Sequence, residues 1–224
     1  MSQFLAHTIS IPQFSGWLPW LLSTDFLNFV VMLSKLLRPH LAGVFKPSAL
    51  YDVLNFEATI EVKDSRGYQA VYSKKQRLRF LKDNVSTVYD YGWGTGNAFA
   101  SHRVEPGHIV ERKQIGPRYR SLVMLPEPQH KGDELTLSVR RLIKDKFTGK
   151  GNWLEGEVYN KMQRMRLSVI LPASRPVTRA WLVQRRQPTE SLVSAKPISG
   201  HRQRLASTIT NPKIGDMYTL VWDW

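Results

Sequence analysis

The chain has 224 residues, enough for one large domain with a substantial core, and its 42% hydrophobic content excludes a chain that is disordered throughout. It contains no cysteine, which excludes a disulfide framework, a thiolate metal site and a cysteine nucleophile. The formal net charge of +14 at pH 7 favours an anionic partner, which is nucleic acid, a nucleotide, an acidic protein or an anionic membrane.

Residues 1–47 are predicted to form an N-terminal segment around one apolar helix. Residues 17–44 are mainly apolar, but Asp25 and Pro39 interrupt them, and a membrane-spanning helix needs about 20 such residues. Asp25 offers a capping carboxylate and Pro39 blocks continuation, which predicts a helix over residues 25–37. Its own domain or a protein partner would bury this helix, and a membrane surface is a less favoured alternative. The residues predicted to meet a partner, or a second copy, are Phe26, Phe29, Val30, Leu33 and Leu37.

Residues 48–224 are predicted to form a single β-rich domain. Apolar and polar residues alternate from 54 to 73 around a turn at 64–67, which predicts a hairpin. Further strands are predicted at residues 85–91, 108–115, 119–125, 153–159, 165–171, 179–183 and 217–222. Glycine and proline separate these short runs, so we expect a mainly β fold, an antiparallel β-sandwich or barrel preceded by the apolar helix.

Two segments of this domain have ambiguous patterns. Residues 132–147 begin with strand alternation and continue with helical spacing, which predicts a strand that gives way to a helical turn near Arg141. Residues 184–212 are polar and basic with few large apolar side chains, which predicts a long basic loop.

The positive charge is concentrated in the C-terminal half of the chain. Residues 161–204 contain ten Lys and Arg residues against the single acid Glu190, and so supply nine of the fourteen net charges. In the strand predicted there, Arg164 and Arg166 alternate with apolar residues and are expected to face solvent. Such a surface is easiest to explain if it meets an anion.

The following strand adds an aromatic ring to this basic surface. Arg179, Trp181 and Arg185 share one face, with Arg186 next to them, and a ring between guanidinium groups can stack on a base while the guanidinium groups pair with phosphates. The alternative is a solvated basic face with Trp181 buried.

A second basic group flanks the turn of a predicted hairpin, where it can enter a groove or line a pocket. Its residues are Arg112, Lys113, Arg118 and Arg120.

A glycine-rich run at 91–99 resembles a phosphate cradle in composition. Gly92, Gly94 and Gly96 would let backbone amides approach an anion, but their spacing matches neither a Walker loop nor a dinucleotide fingerprint. A turn or bulge is the alternative.

His102 and His108, with nearby glutamates, suggest a hydrolase site as a further alternative, although their spacing matches no standard metal motif.

The C-terminal region resembles a known group of proteins. The segment VILPASRP at 169–176 and the Gly-x-x-Tyr-x-Leu-x-Trp-x-Trp ending at 215–224 are similar to β-rich sensor or accessory modules of prokaryotic antiviral conflict systems. The resemblance implies a ligand-sensing or scaffolding role, as a subunit of a defence complex, and supplies no catalytic residue.

We therefore predict a non-enzymatic module that binds nucleic acid, such as RNA, or a nucleotide-type ligand through an arginine-rich β surface. A scaffold subunit that docks an acidic protein is the alternative, and a hydrolase with a His/Glu site is the third. No cofactor and no metal is predicted. The opening residues MSQFLAHTIS lack the pattern of a secretory signal, so we expect a cytoplasmic protein.

Overall fold

The computed structural model describes residues 49–93, 101–116, 118–186 and 190–224, with the backbone alone for residue 115. The predicted N-terminal helix, with Phe26, Phe29, Val30, Leu33 and Leu37, lies outside these residues. The described strands are β1 Tyr51–Val62, β2 Gln69–Phe80, β3 Val85–Trp93, β4 Arg103–Glu105, β5 His108–Ile115, β6 Arg118–Gln129, β7 Glu134–Lys144, β8 Asn152–Glu157, β9 Arg164–Pro172, β10 Arg179–Gln184, β11 Glu190–Leu192, β12 Lys196–Ile198, β13 Arg202–Thr210 and β14 Met217–Asp223.

The predicted hairpin is formed by β1 and β2. The strands pair antiparallel as far as Val62 and Ala70, and the turn between them is organised by Asp64. One carboxylate oxygen of Asp64 accepts a hydrogen bond from the backbone N–H of Arg66 at 2.9 Å, and the other accepts one from Gln69 at 2.7 Å. An aspartate that binds the backbone a few residues ahead stabilises a turn, which explains why the alternation stops and restarts here.

The strands assemble into three sheets, which confirms the mainly β prediction. One sheet has seven strands in the order β12-β13-β9-β1-β2-β7-β4, a second has the order β11-β10-β14-β8, and a third the order β3-β6-β5. None of the three, as far as the structure describes them, closes into a barrel. Among the strands described, pairing is antiparallel except between β1 and β9, which run parallel with Phe56 opposite Met165.

The predicted helical turn near Arg141 is wrong, because β7 continues as a strand to Lys144. It pairs with β2 along its whole length, and Leu137, Val139 and Arg141 all lie on the face that packs inward. Leu142 lies on the other face and is 45% exposed. Its apolar side chain produced the apparent helical spacing, although it contributes little to the core.

The predicted basic loop over 184–212 is also wrong, since this segment contains β11, β12 and β13. β13 pairs with β9 over nine positions, from Arg202 opposite Pro172 to Thr210 opposite Arg164. Of its side chains, Leu205 alone is fully buried. The strand is held mainly by its backbone ladder, so the usual alternation of large apolar residues is absent from the sequence.

The core lies between the inner faces of the sheets. β1 contributes Phe56, Ala58, Ile60 and Val62, while β9 contributes Met165, Leu167, Val169 and Leu171. Among the described residues, the largest fully buried side chain is Trp222 of β14, whose ring stacks on that of Phe147 with 5.8 Å between centroids. The outer face of the seven-stranded sheet carries most of its charged side chains, together with apolar ones such as Leu142 and Ile170.

Candidate anion-binding site

Arg164 and Arg166 lie on the outer face of β9, as predicted. Met165 and Leu167, the residues that alternate with them, have no exposed surface, so one face of the strand packs on the core and the other carries the two arginines. Strand alternation alone fixes this arrangement, because successive side chains point to opposite sides of a sheet.

Neighbouring strands extend the basic surface on both sides of β9. Backbone register places Arg204 of β13 opposite Lys196 of β12, and Arg140 of β7 opposite Arg103 of β4. These partners share the outer face with Arg166. We name this surface the cationic face and define it by seven residues: Lys75, Arg103, Arg140, Arg164, Arg166, Lys196 and Arg204.

Two acidic residues on the same face neutralise other cations, whereas a third, Glu57, lies between Lys75 and Arg166 in the register and accepts a hydrogen bond from Asn55. Glu61 lies 2.7 Å from Lys63 and 2.9 Å from Arg202, and the hydrogen bond from Lys63 lowers the pKa of its carboxyl group. Glu134 pairs in the same way with two arginines of β2, and the hydrogen bond from Arg79 lowers its pKa. No ion pair joins any of the seven residues of the cationic face to another residue in the described ranges.

Two like-charged pairs therefore face each other directly across strands. Arg103 lies opposite Arg140, and Lys196 lies opposite Arg204. Like charges directly opposite in a sheet are destabilising, so an anion that binds between them would relieve repulsion as well as gain attraction.

The structure separates the arginines of β9 from those of β10, which the sequence pattern suggested as one surface. β9 belongs to the seven-stranded sheet and β10 to the four-stranded sheet. On the outer face of β10, the Arg179 guanidinium lies 4.7 Å from the centre of the Trp181 ring, which is half-buried. Arg179 is also 3.7 Å from Glu190, so this pairing of ring and cation is already partly neutralised.

Two residues predicted in different basic groups come together in a groove of about 580 Å³. Arg118 and Arg185 both line it, beside the indoles of Trp93 and Trp153. The Arg118 guanidinium lies 4.4 Å from the centre of the Trp93 ring. This groove combines stacking surfaces with cations, although Glu155 lines it as well.

The other predicted basic residues are spread around this part of the fold. Arg120 lies over Tyr89, with 4.8 Å between the guanidinium and the ring centre. Arg186 donates a hydrogen bond to the carbonyl of Ile214 at 3.5 Å. Arg112 and Lys113 are exposed on β5.

Gly92 has a steric role on β3 that the sequence did not reveal. It pairs with Tyr119 of β6, and a Cβ atom at this position would overlap the hydroxyl and ring of Tyr119. Gly94 and Gly96, the other glycines of the predicted phosphate loop, lie outside the described residues.

Replacing Gly92 with alanine is expected to lower the free energy of unfolding by about 1–3 kcal/mol, the usual cost of overpacking. Urea denaturation followed by tryptophan fluorescence measures this loss. Gly149→Ala is the matched control, because no atom lies within 4 Å of the Cβ that it would add. Equal effects of the two substitutions would contradict the steric role of Gly92.

The two histidines of the alternative hydrolase site are differently placed. His102 is buried, with Nε2 at 3.2 Å from Oδ2 of Asp90, whereas His108 is exposed on β5. Within the described ranges, no group of three His, Cys, Asp or Glu side chains is arranged to hold a metal ion. No helix in the described part of the chain is long and apolar enough to cross a membrane.

Sequence reasoning missed several members of the cationic face. Lys75, Arg103 and Arg140 come from strands that are distant in sequence from β9. Lys196 and Arg204 fell in the segment predicted to be a loop. Their common face follows from strand order, which local patterns do not encode.

No protein-family model and no curated protein matches the chain. Among solved structures, a two-domain M1 zinc metallopeptidase mutant bound to L-tryptophan is 11% identical, with a TM-score of 0.42 over 77% of this chain and 42% of that chain. An M1 zinc metallopeptidase from Deinococcus radiodurans is 9% identical, with a TM-score of 0.39 over 75% and 42% of the two chains. The chain thus spans less than half the length of these structures. At such TM-scores the similarity establishes neither a shared fold nor a shared activity.

Proposed function

We propose that residues 49–224 act as a non-enzymatic nucleic-acid-binding module, with the cationic face against the phosphate backbone. The observation that carries this proposal is the direct opposition of Arg103 to Arg140 and of Lys196 to Arg204 without a described acidic partner. Phosphates supply the missing charge, and their contacts with Lys and Arg dominate the affinity of such proteins.

The extent of the cationic face favours a polymer over a mononucleotide. β4 and β12 are the opposite edges of the seven-stranded sheet, and six strand spacings of about 4.8 Å separate them by about 29 Å. A single nucleotide does not reach across this distance. Ser73 and Thr59 continue the row of Arg103 and Arg140 across the sheet, since Ser73 lies opposite Arg140 and Thr59 opposite Ser73. Such hydroxyl groups commonly donate hydrogen bonds to phosphate oxygens.

Fluorescence anisotropy with labelled single-stranded and duplex oligonucleotides tests the proposal. Log affinity is expected to fall linearly with log salt, with a slope near −0.7 per phosphate contact for single strands and −0.9 for duplexes. The double variant Arg164→Gln/Arg166→Gln removes two contacts, so it should weaken single-strand binding roughly tenfold or more in low salt and reduce the slope by about 1.4.

The matched control is Arg66→Gln/Lys131→Gln, which removes the same charge from two exposed turn residues away from the cationic face. It should leave the salt slope within error of that of the wild type. Absence of binding at about 50 mM salt, or an equal loss in both double variants, would refute the proposal.

An acidic protein is the second candidate partner, in keeping with a scaffold role. An apolar row across the four-stranded sheet favours it: Trp153 and Trp181 both face Val221 in the register, and Leu192 beyond them is 81% exposed. Competition with polyglutamate in the anisotropy assay separates the two candidates. Carboxylate recognition predicts that polyglutamate displaces the oligonucleotide at equal charge concentration, whereas phosphate recognition predicts that it does not.

A defence-type sensor role, which the C-terminal resemblance implies, is compatible with either partner and stays a proposal.

A further inference from the structure

A cavity of about 910 Å³ lies on the opposite, inner side of the seven-stranded sheet. Side chains of β1, β2, β3, β7 and β8 line it, together with the connection between β7 and β8. Cavities that hold small molecules in proteins commonly have volumes of about 300–1,000 Å³, with mostly apolar walls and a few polar groups. This cavity has that composition, and the cationic face has no part in it.

Arg141 is the most unusual group in the cavity wall. Its side chain is buried, and its guanidinium lies 4.5 Å from the centre of the Tyr72 ring and 4.6 Å from that of Tyr119. Its Nε atom has no hydrogen-bond partner in the described residues, and no described carboxylate forms an ion pair with it. The two rings fix the guanidinium in place without neutralising its charge.

The buried carboxylate near the cavity, that of Asp90, already has two partners. Asp90 pairs through Oδ1 with the Lys74 ammonium, and its Oδ2 lies 3.2 Å from Nε2 of His102. Lys74 also donates a hydrogen bond to the carbonyl of Tyr91 at 2.7 Å. The charges of Asp90 and Lys74 thus offset each other, whereas no carboxylate in the described residues pairs with Arg141. A buried charge without a partner is costly, and an anionic ligand in the cavity would supply one.

The remaining walls suit a planar ring. Apolar side chains of Phe56, Ile60 and Phe147 line the cavity, and Tyr91 stacks on Tyr159 at its side with 4.0 Å between ring centres. Each of the two acids of the lining accepts a hydrogen bond from a neighbouring hydroxyl group. The hydroxyl of Tyr159 donates to one carboxylate at 2.6 Å, and the hydroxyl of Thr219 to the other at 3.2 Å. The two acids concerned are Glu157 and Glu155.

Three exposed lysines at the cavity give the approach a positive potential. They are Lys144, Lys146 and Lys150. Clusters of one sign beside a cleft raise the local concentration of the opposite ion, so an anionic ligand would be drawn toward the cavity.

We propose that this cavity binds a small anion that carries an aromatic or heteroaromatic ring, with Arg141 pairing the anion and the apolar walls enclosing the ring. A nucleotide and an aromatic carboxylate both belong to this class. The site is separate from the cationic face, so either proposal stands if the other fails.

Binding of 8-anilinonaphthalene-1-sulfonate, a fluorescent aromatic anion, tests the proposal at the level of ligand class. The full-length wild type should bind it saturably at one site, and more tightly than the uncharged analogue N-phenyl-1-naphthylamine. Arg141→Met should weaken sulfonate binding by roughly tenfold to a hundredfold, because a charged hydrogen-bond donor is lost, and should leave the uncharged analogue unaffected.

Arg140→Met is the matched control, since it changes the adjacent arginine on the opposite face of β7. Arg140→Met should weaken oligonucleotide binding and leave sulfonate binding unchanged. Arg141→Met should weaken sulfonate binding and leave oligonucleotide binding unchanged. If Arg141→Met fails to fold, Ile143→Trp tests the proposal instead, because the larger side chain fills the cavity while the charge of Arg141 is kept. Loss of sulfonate binding in this variant supports the proposal. The proposal would be overturned if the wild type did not bind the sulfonate saturably, or if Arg141→Met or Ile143→Trp kept the wild-type affinity for it. An equal loss of sulfonate affinity in Arg140→Met would overturn it as well.

Discussion

Replacing Asp90 with alanine is expected to lower the free energy of unfolding by about 3–5 kcal/mol, the usual effect of removing one partner from a buried ion pair. Asp90 has no exposed surface, and Lys74, its partner, is 2% exposed. Without the carboxylate, the Lys74 ammonium would stay buried with a single backbone carbonyl as acceptor. Urea denaturation at pH 7, followed by tryptophan fluorescence, gives the difference directly.

The control for this substitution is Glu127→Gln, which removes an exposed carboxylate and should change stability by less than about 0.5 kcal/mol. The double variant Asp90→Ala/Lys74→Met removes both charges and should recover much of the loss, because an apolar side chain of similar length tolerates burial. A loss below about 1 kcal/mol for Asp90→Ala alone would show that the pair is not a major source of stability.

The same measurement across pH has an expected direction. Burial alone would raise the pKa of Asp90, but the charge of Lys74 and the hydrogen bond from His102 outweigh it and hold the pKa below its ordinary value. A carboxylate with a depressed pKa in the folded state stabilises the protein above its unfolded pKa, about 4, and this stability is lost as the pH falls through the folded value. The gap between wild type and Asp90→Ala should therefore narrow below about pH 4.

Replacing Trp222 with alanine is expected to cost about 3–5 kcal/mol, as is usual for a large aromatic side chain in a core. The side chain has no exposed surface and stacks on Phe147 at an interplanar angle of 26°. β14, which carries it, lies between β10 and β8, so there is no edge at which the structure could relax. Thermal or urea denaturation measures the effect.

Trp153→Ala provides the matched comparison for this prediction. Trp153 lies on β8 next to β14, but it is 46% exposed on the outer face. Its removal should cost much less, about 1 kcal/mol or below. If the two variants lost equal stability, the division of the four-stranded sheet into an inner and an outer face would be incorrect.

Local alternation was sufficient to predict most of the strands in this fold. Where a strand has large apolar residues on one face, as in β1 and β9, the period of two is plain in the sequence. The pattern failed for β13, whose inward positions include Gln203 and Ser207, and for the end of β7, where Leu142 is apolar but exposed. In both cases the backbone ladder, and not side-chain burial, sets the extent of the strand.

The candidate site was predictable only in part. Outward-facing Arg164 and Arg166 follow from alternation, but their neighbours depend on strand order across the sheet. The buried cluster did leave a signal in the sequence. Lys74 is in phase with Tyr72, and Arg141 is in phase with Leu137 and Val139. A charge at a core position of an alternating strand is expensive, and so marks a partner or a ligand.

The parallel pairing of β1 with β9 has a consequence for synthesis of the chain. β1 is among the first described strands to leave the ribosome, but the neighbour that covers its second edge is made much later, after β8. Until then the nascent chain carries an open strand edge that can pair with another molecule. Contacts between such distant segments also slow folding. We therefore expect aggregation during high-level expression, more than instability of the finished fold, to limit the yield of this protein.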